Sequence, residues 1–136
     1  MEITRPTWDE WALGIAKAVS ARADCTRRLV GSVLLSPDHA ILATGYNGYP
    51  SGKPGCLSGA CPRGQKSYDE VKALSPYVET EFDCGALHSE ENVVLRSTKE
   101  QRQGATLYVT CKPCPNCFRL LSGSGIVRIV WPEGEK

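Results

Sequence analysis

The chain carries almost no surplus of charge: 16 Lys and Arg stand against 15 Asp and Glu, a formal +1 at pH 7. That balance removes the usual basis for bulk electrostatic binding of long nucleic acid or of an anionic membrane. No apolar run approaches the ~20 residues that cross a bilayer, so no membrane association is expected. The start, Met1-Glu2-Ile3-Thr4-Arg5-Pro6, has neither the apolar stretch nor the small-residue cleavage site of a secretion signal. Internal repeats and low-complexity segments are absent too. With 41% apolar and 23% charged residues, the composition is that of a globular chain, not a disordered one. The expectation is one cytoplasmic domain over residues 1–136.

Cysteine is what the chain has in excess: seven in 136 residues. An odd number cannot be fully paired within one chain. In a reducing compartment, metal ligation or catalysis is at least as good an explanation as a disulfide framework.

The pattern along the chain alternates strands and helices. Thr7 is a suitable N-cap for a first helix whose stripe includes Trp8, Trp11, Leu13, Ile15, Ala16 and Val19. Trp8 and Trp11 are expected in the core. Leu29–Leu35 and Ala40–Tyr46 read as a hairpin across Ser36-Pro37-Asp38-His39, with His39 solvated in the turn. Residues 47–68 form a long loop rich in Gly, Pro, Ser and Cys, followed by a short helix over Tyr68–Leu74 that stops near Pro76. Further on come a helix over Ala86–Arg96, a strand over Thr106–Cys111, a helix over Pro115–Ser122 and a strand over Ile126–Trp131. Residues 132–136 read as a polar tail. The fold class is α/β, a three-layer α/β/α sandwich around a mixed sheet that opens on a hairpin.

The chemistry concentrates in His88-Ser89-Glu90 and Pro113-Cys114-Pro115-Asn116-Cys117. Zinc takes imidazole nitrogen and thiolate sulfur, and a catalytic site keeps its fourth position for water. His88, Cys114 and Cys117 supply three ligands. Two sulfurs three positions apart at one helix N-terminus can reach one ion, and that terminus also stabilises thiolate charge. Glu90, two residues after His88, is placed to exchange protons with a zinc-acidified water without binding the metal. A closed structural site would need a fourth ligand. Cys111 is the nearest, but its place at the end of an apolar strand marks it as a core thiol.

H-x-E followed by P-C-x-x-C is the signature of zinc-dependent nucleobase deaminases. Around it, the segments 25–31, Ala43-Thr44-Gly45-Tyr46-Asn47-Gly48-Tyr49-Pro50-Ser51-Gly52, Cys84 and Thr110–Cys117 resemble the deoxycytidylate (dCMP) deaminase family of the cytidine deaminase superfamily. The resemblance spans about residues 8–131. It implies hydrolytic attack by zinc hydroxide at C4 of cytosine, with dUMP and ammonia as products. Glu90 would carry the proton to N3 and help protonate the departing amine. It further implies that Asn47 contacts the deoxyribose and that the backbone N–H of Ser89 contacts the base. Nucleotide contacts would also come from the loop that begins at Tyr46. A homo-oligomer, commonly a hexamer, with dCTP and dTTP as effectors is implied as well. Cys25, Cys56, Cys61 and Cys84 are candidates for a second, structural zinc. Arg27, Arg28 and Arg119 are candidate phosphate contacts.

Three departures from the family pattern stand out. Ser89 occupies a position where alanine is usual, Gly55 precedes Cys56 where histidine is usual, and the chain stops soon after Trp131, short of the family's last strand and helix. Two other readings compete. One is a deaminase of another cytosine nucleoside, a modified nucleotide or an RNA base. The other is a zinc-stabilised binding protein without catalysis, against which Glu90 argues.

Overall fold

The computed structural model describes residues 3–73 and 84–136. The elements run α1 (Trp8–Ser20), β1 (Gly31–Leu35), β2 (Ile41–Tyr46), α2 (Ser89–Arg96), α3 (Lys99–Arg102), β3 (Thr106–Val109), α4 (Pro115–Ser122), β4 (Arg128–Trp131) and β5 (Gly134–Glu135). Two single 3-10 turns, Cys56–Ser58 and Arg63–Gln65, lie in the long loop after β2. The strands form one sheet in the order β2-β1-β3-β4-β5. Pairing is antiparallel except between β3 and β4, which run parallel around the α4 crossover. Among the described residues, no helix is long and apolar enough to cross a membrane.

Alternation along the strands divides the core into two layers. Leu34, Leu107, Val109 and Ile129 face Val93 of α2 and Leu121 of α4. Val33, Leu35, Tyr108 and Val130 face Ala12 and Ala16 of α1. The three-layer α/β/α expectation is met, with helices on both faces of a mixed sheet.

Thr7 caps α1 as the sequence indicates: Glu10 N–H donates to Thr7 Oγ1 at 3.1 Å, and Thr7 N–H donates to the Glu10 carboxylate at 3.1 Å. The tryptophans differ from expectation. Trp8 is 55% exposed and Trp11 36%. The small Ala12 and Ala16 let α1 sit close on the sheet, so the large rings at its start are left on the flank. There Trp8 stacks on His39 at 4.1 Å and meets Trp11 edge-on at 5.5 Å. His39 is therefore stacked on a ring rather than simply solvated, with a left-handed backbone (φ 68°) in the turn.

The helix expected over Tyr68–Leu74 is a single turn closed on Ser67 through Tyr68–Ala73. Leu74 and the stop near Pro76 lie outside the described residues. The helix expected from Ala86 starts three residues later. Leu87 is held extended by paired backbone bonds with Gly48, 2.8 and 3.0 Å, and His88 has extended N-cap geometry (ψ 158°). The polar tail contains β5, whose Glu135 meets Arg128 at 2.8 Å. Helix α3 is an addition. Thr98 and Gln101 cap each other at 2.8 and 3.1 Å, and Arg102 donates to the last carbonyls around α2, Val94 and Ser97, at 3.0 and 2.8 Å.

One polar network joins α1 to β3 and β4. Arg128 grips Asp9 with two hydrogen bonds, 3.0 and 2.7 Å, and the Tyr108 hydroxyl donates to the same carboxylate at 2.8 Å. The Arg128 guanidinium holds the Asp9 carboxyl below its ordinary value, while burial first and Asp9 second push the Tyr108 phenol up to about 12. A depressed carboxyl adds stability above its unfolded pKa and loses it as pH falls through the folded value. The pair is partly exposed and screened, so Asp9→Asn is expected to cost about 1 kcal/mol at pH 7. The deficit shrinks below about pH 4. Urea unfolding at pH 7 and pH 3 checks this; an equal deficit at both refutes it.

Candidate zinc and substrate site

Two helix starts converge on one another. His88 caps α2 and Cys114 caps α4, with Pro115 opening the latter. His88 Nδ1 lies 3.2 Å from Cys117 Sγ and 3.6 Å from Cys114 Sγ. Among the described residues, these three form the one set of three or more candidate ligand atoms all within 4.8 Å of one another. Cys117 is buried, and His88 and Cys114 are half-buried. The Glu91 carboxylate accepts from His88 N–H at 2.8 Å, and Asn92 Nδ2 donates to Tyr46 O at 2.8 Å. These bonds fix the start of α2 against the end of β2.

The electrostatics of the cluster fit a divalent cation. A hydrogen bond from Cys117 pulls the Cys114 thiol down to about 4, and the same contact together with burial pushes Cys117 strongly up. The Cys114 sulfur raises His88. Two thiolates side by side repel each other. A bound divalent ion removes that conflict, and the donor set is what zinc prefers.

Glu90 is 4% exposed. Its carboxylate accepts a hydrogen bond from the Ser89 hydroxyl and meets the Cys117 thiol. It therefore lies against the cluster without being one of the three grouped ligands.

A cavity of about 90 Å³ opens beside these residues. His88, Ser89, Glu90 and Asn47 line it, and so do Cys25, Cys56, Cys61 and Cys84. Asn47 uses its side chain as a backbone clamp: Oδ1 accepts from Val30 N–H at 2.8 Å and Nδ2 donates to Arg28 O at 2.9 Å. Tyr46 is not brought to the cavity; its ring lies 5.4 Å beneath the Arg96 guanidinium. Cys111 packs half-buried against the core, with its thiol pushed up by burial.

The other four cysteines also line the cavity, without three of their sulfurs coming within 4.8 Å of one another. Backbone N–H groups point at three of their sulfurs: Arg27 and Arg28 at Cys25, Thr26 at Cys56 and Gly64 at Cys61, each 3.3 Å. Cys61 also hydrogen-bonds Cys84 and the Tyr49 hydroxyl. Burial pushes Cys84 up to about 11 and also raises Cys56. In Cys61, burial is outweighed by its hydrogen bonds, first that from Gly64, and the thiol is lowered. At Gly55 a Cβ would lie 1.6 Å from Asp24 Oδ2, so a larger residue there requires the Asp24 carboxylate to turn away. Asp24 in turn accepts from Leu57 N–H at 2.7 Å.

Of the three candidate phosphate contacts, Arg27 and Arg28 line the cavity, and Arg28 is the more exposed, its side chain beside the Cys111 thiol. Arg27 donates to the Val71 and Arg63 carbonyls and covers the Tyr68 ring at 4.4 Å. Arg119 lines a separate open groove of about 1710 Å³. Arg28 and Lys112 line both the cavity and that groove, so two exposed cations mark where they meet. The sequence reading passed over Lys112, although it stands between Cys111 and Pro113 in the motif itself.

The profile of the cytidine and deoxycytidylate deaminase zinc-binding region matches residues 6–133. The chain belongs to this family. Among its relatives, the deoxycytidylate deaminase of Mycobacterium phage D29 is 44% identical over 131 residues, covering 96% of this chain and 98% of the phage protein. The deoxycytidylate deaminase of Schizosaccharomyces pombe is 34% identical over 128 residues, 93% of this chain but only 37% of the yeast protein. In structure, the chain resembles the dCMP deaminase of cyanophage S-TIM5 solved with dCMP and dUMP. The TM-score is 0.68 at 24% identity, over 95% of this chain and 83% of that one. A cytidine deaminase of Mycobacterium tuberculosis shares the fold more distantly, with a TM-score of 0.54 at 19% identity.

Proposed function

We propose that the chain is a zinc-dependent hydrolase converting dCMP and water to dUMP and ammonia. The observation that carries this reading is the buried Glu90 carboxylate lying against the His88, Cys114 and Cys117 cluster, in a chain 44% identical to a deoxycytidylate deaminase over nearly its full length. His88 Nδ1 and the Cys114 and Cys117 sulfurs would hold the ion. When bound, zinc supplies Lewis acidity that brings the pKa of water toward ~7. Glu90 would accept one proton of the attacking water and pass it to N3 as the water oxygen bonds to C4, then carry the remaining hydroxyl proton to the amine as the C4–N bond breaks and ammonia leaves. The N–H of Ser89, in the first turn of α2, is free of intrahelical bonding and meets the base. Asn47 contacts the deoxyribose from its clamped position. Arg28 and Lys112 receive the 5′-phosphate, which supports a nucleotide substrate over a free nucleoside.

The resemblance also supports a homo-oligomer, a hexamer in its commonest form, with dCTP and dTTP acting at the 46–52 loop. Seven free thiols, among them the catalytic ligands, support a reducing, cytoplasmic setting.

Ammonia release from dCMP, CMP, deoxycytidine and cytosine tests the reading on the zinc-loaded protein. Greatest turnover of dCMP is expected. No turnover of any compound, or deoxycytidine preferred over dCMP, defeats it.

We also propose a second, structural zinc held by Cys25, Cys56, Cys61 and Cys84. Support comes from the amide N–H groups aimed at three of the sulfurs, a common arrangement for stabilising thiolates. Metal analysis is expected to find two zinc ions per chain, and one in Cys56→Ser. A single ion in the unaltered protein refutes the second site.

A further inference from the structure

We propose that the Ser89 hydroxyl is a positioning group for Glu90, holding one carboxylate oxygen so that the other faces the reacting atoms. The inference rests on the deaminase reading and concerns a side chain to which that reading gives no task. Ser89 is 0% exposed, and a buried hydroxyl needs a partner. Its partner is Glu90 Oε1, in a buried bond. Neighbouring positions on a helix point about 100° apart and do not ordinarily face each other. The bond therefore requires the Glu90 carboxylate to fold back toward the start of α2.

The carboxylate is thus held at one oxygen by the hydroxyl of its predecessor. Glu has three rotatable bonds, and a carboxylate left free in the cavity would sample geometries useless for proton transfer. The frame behind Ser89 is rigid. Gly45 of β2 packs so closely that a Cβ there would lie 2.3 Å from Ser89 O. Alanine, usual at this position in the family, offers no such bond, so the hydroxyl is an adjustment particular to this chain and its effect is moderate.

The test is Ser89→Ala, alone and combined with Glu90→Gln, in zinc-loaded protein. With Ser89 intact and Glu90 present, dCMP turnover must first be seen; its absence defeats the deaminase reading, not this one. Ser89→Ala is then expected to lower kcat about five- to tenfold while KM stays within about twofold, a loss confined to the transition state. Zinc content and melting temperature are expected to stay unchanged. In the Glu90→Gln background the same change is expected to add no further loss, because the two residues act as one unit. An unchanged kcat in Ser89→Ala overturns the proposal. So do an effect on KM alone, a loss of zinc, and an equal further loss in the double variant.

Discussion

Glu90→Gln is expected to lower kcat on dCMP by about 100- to 10,000-fold, the range covered by general acid–base catalysis. The substitution keeps size and hydrogen-bonding capacity but removes the basic oxygen. The amide can still accept from the Ser89 hydroxyl, so the fold around α2 is expected to persist. Glu90 is not among the three grouped ligand atoms, so the zinc content should match that of the unaltered protein. On the proposed reading the deoxyribose and phosphate of the substrate are met by other residues, so KM should change little. Steady-state kinetics with parallel metal analysis checks all three. Activity within tenfold of the unaltered protein removes Glu90 from proton transfer. Loss of zinc would recast it as a ligand.

This part of the site was legible in the sequence because both halves are local. His88 and Glu90 lie two residues apart, Cys114 and Cys117 three, and each pair opens a helix whose N-terminus fixes its direction. The second cysteine set was legible only as a list. Its members come from a connector, a loop and the approach to α2, and only the fold shows that all four face one cavity. Tyr46 and Asn47 show the limit of adjacent letters: alternation past the end of β2 sends one to the cavity and the other beneath Arg96.

Misreadings of the fold have equally local causes. Helical periodicity gives a broad apolar stripe on α1 but does not say how near the sheet its centre lies. Two alanines bring it close, and Trp8 and Trp11 are left at the margin. Tyr68–Ala73 has helical composition but forms one turn closed on Ser67. Helix α3 was announced by Thr98-Lys99-Glu100-Gln101, a capping-box spacing that is easily missed in so short an element. Strand β5 depends on pairing with β4, which no local propensity in Pro132–Lys136 encodes. The Ser89 bond depends on one side-chain rotamer, beyond the reach of any pattern.

Gly45→Ala is expected to destabilise the protein by about 3 kcal/mol, at the upper end of the ordinary cost of overpacking. The reason is what the new methyl would meet. Its ideal position lies 2.3 Å from Ser89 O and 3.0 Å from Val93 N, both backbone atoms of α2, and 2.9 Å from Val93 Cγ2. A flexible side chain could turn away, but a helix backbone must move as a body. Val93 is 0% exposed and anchors α2 in the core, so that movement also disturbs packing on β1 and β3. The same helix start carries His88 and Glu90, and its displacement would misplace both relative to Cys114 and Cys117. Loss of activity should therefore accompany loss of stability, even at temperatures where the variant remains folded. Gly14→Ala supplies the opposite sign. Gly14 lies in the interior of α1 with nothing within 4 Å of an added Cβ, so the change should stabilise by about 0.5–1 kcal/mol through helix propensity. Urea unfolding of the two variants, with dCMP turnover measured well below each midpoint, separates close backbone approach from a general intolerance of substitution. If Gly45→Ala unfolds within 1 kcal/mol of the parent, α2 is not pressed against β2 as closely as these distances require.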